Sequence, residues 1–482
     1  MQRSYNRNYH FFQPASRLIG AGVLAVLLLF GSCKKFLNIP LPADRIAGPD
    51  AYASDLTTSG VLNGIYQKLQ NPLSGNAGLS YNAGLYADEL QNINPANVAN
   101  KLWYSNVITG DYGGTWWVNL YTQIAIANTT VAAMRSSALP GKNRWLGEAL
   151  FLRALMYYYL VNIYGDVPLA LGTDYQVNNK LSRLPQSDVY KQVVADLKEA
   201  QTLLGKDYVD FNGNTTTTSR ARPNLAAATA LLARVYLYLG DWQNAEDQST
   251  TVISDPAYAL EALNNVFLVN SKENIWGIVP PSNASFRVLD PQYYIFVPGS
   301  NVVTSQVNVS LSPLLVNSFE TGDLRLASWV DTITIGTPAV KYYYAFKYKV
   351  KDNQTAAKET LSLLRLAELY LIRAEARAQR NNLGGAISDL NTVRTRGGLT
   401  GTGAVSQSDL LTAIAKERRV ELFTEQGHRF FDLKRTGAID AVMSNVSPQK
   451  GSNWTSYMQF WPIPTQETLT NPKLTQTPGY QQ

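Results

Sequence analysis

The stretch Leu363–Asn381, LLRLAELYLIRAEARAQRN, decides the fold class. Its Leu363, Leu366, Ala367, Tyr370, Leu371, Ala374 and Ala378 recur at the three-four spacing that gathers apolar side chains on one face of an α-helix. Asn381-Asn382 punctuate it, and Leu383, Ala386, Ile387, Leu390 and Val393 draw a second stripe that Gly397-Gly398 bring to an end. A third helix is expected over Lys416–Arg435, KERRVELFTEQGHRFFDLKR. Alanines on the stripes let helices approach closely, so the segment reads as a helical hairpin docked on a further helix.

Working outward, the same hairpin occurs earlier. Setting Ala245 against Ala386 also pairs Ala233 with Ala374, Trp242 with Leu383 and Gly240 with Asn381. Gly and Asn most readily take the left-handed conformation that ends a helix. LLARVYLYLGDWQNAEDQSTTVI is therefore a copy of the later unit, and both look like tetratricopeptide helix pairs. Further helices are expected near 51–70, 116–137, 144–164 and 186–204, with an irregular aromatic stretch over 79–115. Within a helix-poor insertion, KYYYAFKYKVK alternates Tyr344, Phe346, Tyr348 and Val350 with Lys347, Lys349 and Lys351, as a strand does. The pattern predicts a mainly α fold: a scaffold of helix pairs with long irregular loops and a few short strands. Residues 51–482 read as a single helical domain, with an N-terminal helical part (51–255), a loop and strand insertion (256–355), and C-terminal helix pairs with a tail (356–482).

The N-terminus has a different character. Arg3, Arg7 and Arg17 precede the apolar run LIGAGVLAVLLLF (Leu18–Phe30), which is too short to span a bilayer. Gly31-Ser32 follow, so residues 1–32 read as a signal peptide. Cys33 is the only cysteine in the chain, which excludes an internal disulfide and a cysteine metal cluster. Directly after the apolar run it has the place of a lipoprotein's acceptor cysteine, with 33–50 as a proline-bearing tether. Removing three arginines from 42 Lys and Arg leaves 39 against 36 Asp and Glu, a net charge of +3. No basic run interleaved with aromatics is present to follow a phosphate backbone, so nucleic acid is excluded as a partner.

Catalytic chemistry finds little support. His428 is the only histidine outside the signal segment, and it sits in a charged helix between Gly427 and Arg429. No nucleophile elbow, phosphate loop or dinucleotide fingerprint occurs in a strand–turn–helix context. A glycosidase needs only two suitably spaced acids, and Asp88-Glu89 in the aromatic stretch are the candidates. Glu417, Glu421 and Glu425 share one helix face, with Arg418 and Arg419 beside them to compensate. Glu417, Arg418, Glu421, Arg429, Asp432 and Arg435 are read as one structural ion-pair network locking the third helix to its neighbours. Aromatics form the remaining constellation. Tyr81, Tyr86, Trp103, Tyr104 and Tyr112 lie before the second long helix, and Trp276, Tyr293 and Tyr294 lie in the insertion. Sugar rings stack on such flat faces. Trp117, Trp145 and Trp242 instead follow helical spacing and read as packing residues.

These segments, in order, resemble the SusD/RagB-like outer-membrane lipoproteins of Bacteroidetes. The resemblance rests on Cys33-Lys34-Lys35-Phe36-Leu37-Asn38, on Trp117, Tyr121, Ile124 and Asn128, and on EALFLRALMYYYLVNIYGDVPL. It continues through AAATALLARVYLYLGDWQNA, RLAELYLIRAEARAQ, SDLNTVRTRGGL, ERRVELFTEQGHRFFDLKR and FWPIPTQETLTNPKLTQTPGY. It implies an α-helical fold and a lipid on Cys33 holding the protein to the outer membrane, facing outward. It also implies capture of a glycan or other oligomer without catalysis, beside a SusC-like TonB-dependent transporter. No cofactor and no metal follow from it. The matching regions hold Trp103, Tyr104, Tyr293 and Tyr294, and these together with Tyr81 and Asp88 are the candidate glycan-binding residues. Lys34-Lys35 depart from the acids found there in many surface-exposed relatives. Two other classes remain open at this point: a secreted glycosidase using loop carboxylates, and a repeat scaffold that binds only proteins.

Overall fold

Helices α1 (Asp55–Leu73), α2 (Leu79–Tyr86), α3 (Val98–Tyr104), α4 (Gly110–Arg135), α5 (Lys142–Tyr164), α6 (Tyr175–Asn178) and α7 (Gln186–Leu203) make up the N-terminal part. The first copy of the hairpin is α8 (Leu225–Leu239) with α9 (Trp242–Ile253). After the short helices α10 (Asp290–Tyr294), α11 (Pro313–Val316) and α12 (Leu324–Trp329), the second copy is α13 (Leu366–Gln379) with α14 (Leu383–Arg396). Helices α15 (Gln407–Glu421), α16 (His428–Arg435), α17 (Ile439–Val446) and α18 (Thr465–Thr470) complete a mainly α fold. This computed structural model describes residues 48–297 and 307–481. The expected signal segment, Cys33 and the tether as far as residue 47 lie outside the described residues. Ala51–Gln482 form a compact unit of their own.

Three two-stranded antiparallel sheets accompany the helices. Strand β1 (Leu90–Asn92) pairs with β3 (Val309–Leu311), β2 (Asn274–Ile278) with β6 (Leu361–Arg365), and β4 (Val330–Ile335) with β5 (Val340–Ala345). Packing explains the hierarchy. Helix α5 is buried on every side from Trp145 to Tyr164, apolar but for Glu148, Arg153 and Asn162, and forms the axis of the core. Its Arg153 is neutralised there by Asp196 of α7 at 2.7 Å. Each hairpin carries fully buried alanines, Ala233 and Ala245 in one, Ala374 and Ala386 in the other. Gly240 and Asn381 end the first helix of each pair with φ of 68° and 61°. At the start of α4, a Cβ added to Gly110 would lie 2.7 Å from the Ile463 carbonyl oxygen, so only glycine lets the tail pass this close.

Four expectations are corrected. Leu363 belongs to strand β6, not to the helix, which starts at Leu366. The stretch 79–115 is not irregular, since it contains α2, β1 and α3. The strand expected through Val350 ends at Ala345. Beyond it Lys347 turns inward, its Nζ donating to the Glu421 and Phe423 carbonyls and to Glu425, 4.0 Å from the Phe423 ring centroid. The third helix breaks into α15 and α16, because Thr424, Gln426 and Gly427 take positive φ between them.

That break buries His428 at the start of α16, its Nε2 4.0 Å from Glu368. Burial pushes the imidazole down to about 4, against the pull of Glu368. The folded protein therefore refuses a proton that the unfolded chain accepts below about pH 6.5, and stability falls as pH drops through that window. Relative to His428→Gln, the wild type is expected to lose about 2 kcal/mol between pH 7 and pH 5. Urea unfolding of both proteins at the two pH values measures this, and parallel losses would refute the assignment.

Candidate functional site

The two loop regions singled out by their aromatics are brought to one face by the β1–β3 pair. Leu90 faces Leu311 and Asn92 faces Val309, while the Gln91 amide donates to the Ser310 hydroxyl at 2.7 Å and the Asn94 side-chain amide to Asn308 Oδ1 at 2.7 Å. Tyr81 on α2 ties the parts together from below. Its hydroxyl accepts from the Asn100 amide of α3 at 2.8 Å, and its ring meets Tyr293 edge-on at 6.4 Å and Tyr294 at 5.9 Å. Helix α10, which carries both tyrosines, is pinned by Asp290, whose Oδ1 accepts from the Gly75 N–H at 2.7 Å and the Ser74 hydroxyl at 3.0 Å. Burial raises the Asp290 carboxyl to about 7.

Of the six residues expected to touch glycan, four are inside. Trp103 is 5% exposed, Tyr81 1%, Tyr294 3% and Asp88 3%, so none of these presents a face to a sugar ring. Trp103 packs edge-on against Trp461 at 4.6 Å and Trp116 at 5.5 Å, an indole cluster under the loop rather than a platform on it. Tyr86 and Trp276 are buried as well. Tyr104 and Tyr293 remain half-buried, with Tyr112 exposed nearby in sequence. Lys450 supports this rim from within, its Nζ 5.1 Å over the Tyr104 ring and donating to the Leu85 and Tyr86 carbonyls at the end of α2.

The acids are equally committed. Asp88 receives Arg429 on both carboxylate oxygens and Arg419 on one, all at 2.8 Å. Burial opposes its charge, yet these guanidinium groups hold its carboxyl below the usual value. Glu89 is buried, and burial with the neighbouring Asp88 charge pushes it up to about 8. The single ion-pair network expected from Glu417, Arg418, Glu421, Arg429, Asp432 and Arg435 is several separate ones. Glu417 meets Arg325 at 2.6 Å and Arg394 at 3.3 Å, and Glu421 meets Arg325 at 2.9 Å, Arg365 at 2.6 Å and also Arg396. Arg418 and Arg435 share Asp432, and Arg435 reaches Glu375 at 2.6 Å. Arg418 and Arg419 do not compensate the glutamates of their own helix, because successive residues point about 100° apart around a helix.

A second surface was not anticipated. Between α4, the 168–179 segment and the C-terminal tail lies an open cleft of about 460 Å³ with Tyr121 on its wall and Tyr175, 68% exposed, at its rim. Thr122, Asn178 and Asn471 add hydroxyl and amide groups. The one sequence signal was a tyrosine inside a run of Gly, Thr, Asp and Asn (residues 172–179). Among the described residues no group of three or more His, Cys, Asp and Glu side chains is placed to hold a metal ion, and no helix is long and apolar enough to cross a membrane.

Residues 317–480 match the profile of the SusD family, and residues 49–237 match a profile described as starch-binding associating with outer membrane. SusD-like protein P2 of Formosa agariphila is 27% identical over 429 residues, 78% of this chain and 83% of that protein. A solved structure of a laminarin binding SusD-like protein superposes with a TM-score of 0.72 at 24% identity, covering 88% of this chain and 99% of that one. The surface glycan-binding protein A from Bacteroides uniformis gives 0.75 at 20% identity, over 88% of this chain and 99% of its own. At these identities the structural likeness speaks for the fold.

Proposed function

The chain belongs to the SusD/RagB-like family, and from that premise we propose that it captures glycan at the face formed by α3, α10 and the β1–β3 pair. It works there without catalysis. The observation that carries this reading is that Tyr104 and Tyr293 stay partly open on an amide-rich rim whose underlying residues are all fixed. A rigid floor with open rings and polar edges suits a sugar, which offers an apolar face and a fringe of hydroxyls. The names of the laminarin-binding and glycan-binding neighbours, and the starch-binding profile, point to the same ligand class. Non-catalytic action is supported by the state of the loop acids: Asp88 is held by two arginines and Glu89 is buried, so neither reaches a glycosidic bond. The reading extends to a lipid on Cys33, residence on the outer face of the outer membrane, and handover to a SusC-like TonB-dependent transporter. Its supports there are the cysteine's place after the apolar run and the outer-membrane association in the matched profile.

Native gels cast with laminarin, starch, xylan, mannan or pectin test the capture. Retardation is expected in at least one, and Tyr104→Ala or Tyr293→Ala should each weaken it about tenfold, roughly 1.4 kcal/mol. If both variants run as the wild type while Tyr175→Ala abolishes retardation, the binding face is the α4 cleft instead. Release of reducing sugar by the purified protein would overturn the non-catalytic reading.

A further inference from the structure

We propose that the α4 cleft is a second carbohydrate site, suited to a short neutral oligosaccharide and separate from the face formed by α3, α10 and the β1–β3 pair. The cleft holds about 460 Å³, within the ~300–1,000 Å³ usual for small-ligand sites. Its rim ring, Tyr175, is 68% exposed, and among the described residues no other tyrosine is open to this degree. The polar lining is unspent as well. The Glu467 carboxylate, the Thr173 hydroxyl and the Asn179 side-chain amide line the cleft, and none has a hydrogen-bond or ion-pair partner among the described residues. Each belongs to an exposed or half-buried residue, so a ligand reaches all three. The walls, by contrast, are fixed. The Tyr121 hydroxyl donates to the Pro168 carbonyl at 2.6 Å, the Asn128 amide to the Ala170 carbonyl at 2.8 Å and the Asn471 amide to the Leu181 carbonyl at 2.8 Å. These bonds clamp the 168–181 segment between α4 and the tail, so little ordering remains to oppose binding.

The open groups set the ligand class. A sugar ring offers Tyr175 an apolar face, and its hydroxyls both donate and accept, which satisfies a carboxylate, a hydroxyl and an amide together. An apolar ligand would cover the same three groups without giving them partners, at a cost that selects against it. Among the described residues Glu467 is the one charged group lining the cleft, so a phosphate or uronic acid would meet only its own sign there. The ligand is therefore hydroxylated and uncharged. The proposal does not rest on the α3–α10 face.

Isothermal titration calorimetry tests it on the Tyr104→Ala/Tyr293→Ala double variant, in which that other face is disabled. The probes are maltotriose, laminaritriose, xylotriose and mannotriose, with trigalacturonate and trilysine as charged controls. One-to-one binding of at least one neutral trisaccharide with Kd below ~10 mM is expected. Adding Tyr175→Ala should weaken it about tenfold, and adding Glu467→Gln about threefold. Both side chains reach solvent, so the chain folds without them. No trisaccharide binding by the double variant, equal binding of either control, or undiminished binding after Tyr175→Ala overturns the proposal. The two sites fail separately. Binding by the wild type but not by the double variant overturns the cleft and leaves the α3–α10 face, whereas wild-type binding lost with Tyr175→Ala alone supports the cleft and overturns that face.

Discussion

Glu421→Gln is expected to lower stability by about 3–5 kcal/mol, although it changes one atom of an internal side chain. Glu421 is fully buried and receives Arg325 at 2.9 Å, Arg365 at 2.6 Å and Arg396. Arg325 and Arg365 are themselves buried, so although Asp323 and Glu417 still pair with the one and Glu273 and Glu425 with the other, removing the charge they share leaves the buried cluster one negative charge short. Burial opposes ionisation of Glu421, but Arg396, Arg365 and Arg325 hold its carboxyl well below the usual range. Its contribution is therefore full above the unfolded carboxylate value, about pH 4, and is lost as pH falls toward the folded one. The control is Glu320→Gln. Glu320 pairs with Arg394 and Lys416 at the surface, where 34% of its side chain is exposed, so this variant should cost less than about 1 kcal/mol. Chemical denaturation of the three proteins at neutral pH gives the comparison. Equal losses would show that the cluster is not the interior tie its geometry describes.

Trp103→Ala should remove about 3–5 kcal/mol of stability and leave glycan affinity unchanged in the protein that remains folded. The indole sits in a cluster with Trp116, Trp461 and Tyr86, with ring centroids 4.6–6.0 Å apart. A small side chain there opens a cavity under α3 that the rigid α4 and tail cannot close. Thermal unfolding combined with gel retardation at low temperature separates the two effects. A variant with wild-type melting that has lost retardation would restore Trp103 to the binding surface. For a residue of this type the sequence gives no direction. A tryptophan flanked by Asn100, Lys101, Ser105 and Asn106 looks like an exposed loop ring, yet the same spacing is the buried edge of the short helix α3.

The contrast between what could and could not be read follows from sequence distance. The hairpins were legible because a stripe at three-four spacing and an alanine at the closest approach are local patterns with one cheap solution. Even the helix-ending conformations at Gly240 and Asn381 followed from residue type. The break between α15 and α16 was less legible. Gly427 alone announced it, while Thr424 and Gln426 are held in positive φ by surroundings the sequence does not display. The run from Tyr344 to Val350 alternated correctly and still misled, because a cage of Trp329, Phe423 and Glu425 takes in Lys347.

The order of amino acids alone carries the helix pairs, the family and the presence of many compensated charges. It does so because backbone periodicity, capping and the avoidance of unpaired charge are constraints acting within a few residues or on composition. Packing of the whole chain sets the charge partners, Arg325 to Glu421 and Arg429 to Asp88, which are 96 and 341 residues apart. It alone decided which aromatics face water, leaving Tyr104 and Tyr293 half open and Trp103, Tyr81 and Tyr294 inside. A side chain's exposure depends on what packs over it. Here that is the distant tail and insertion, whose arrival at the loops no local pattern encodes.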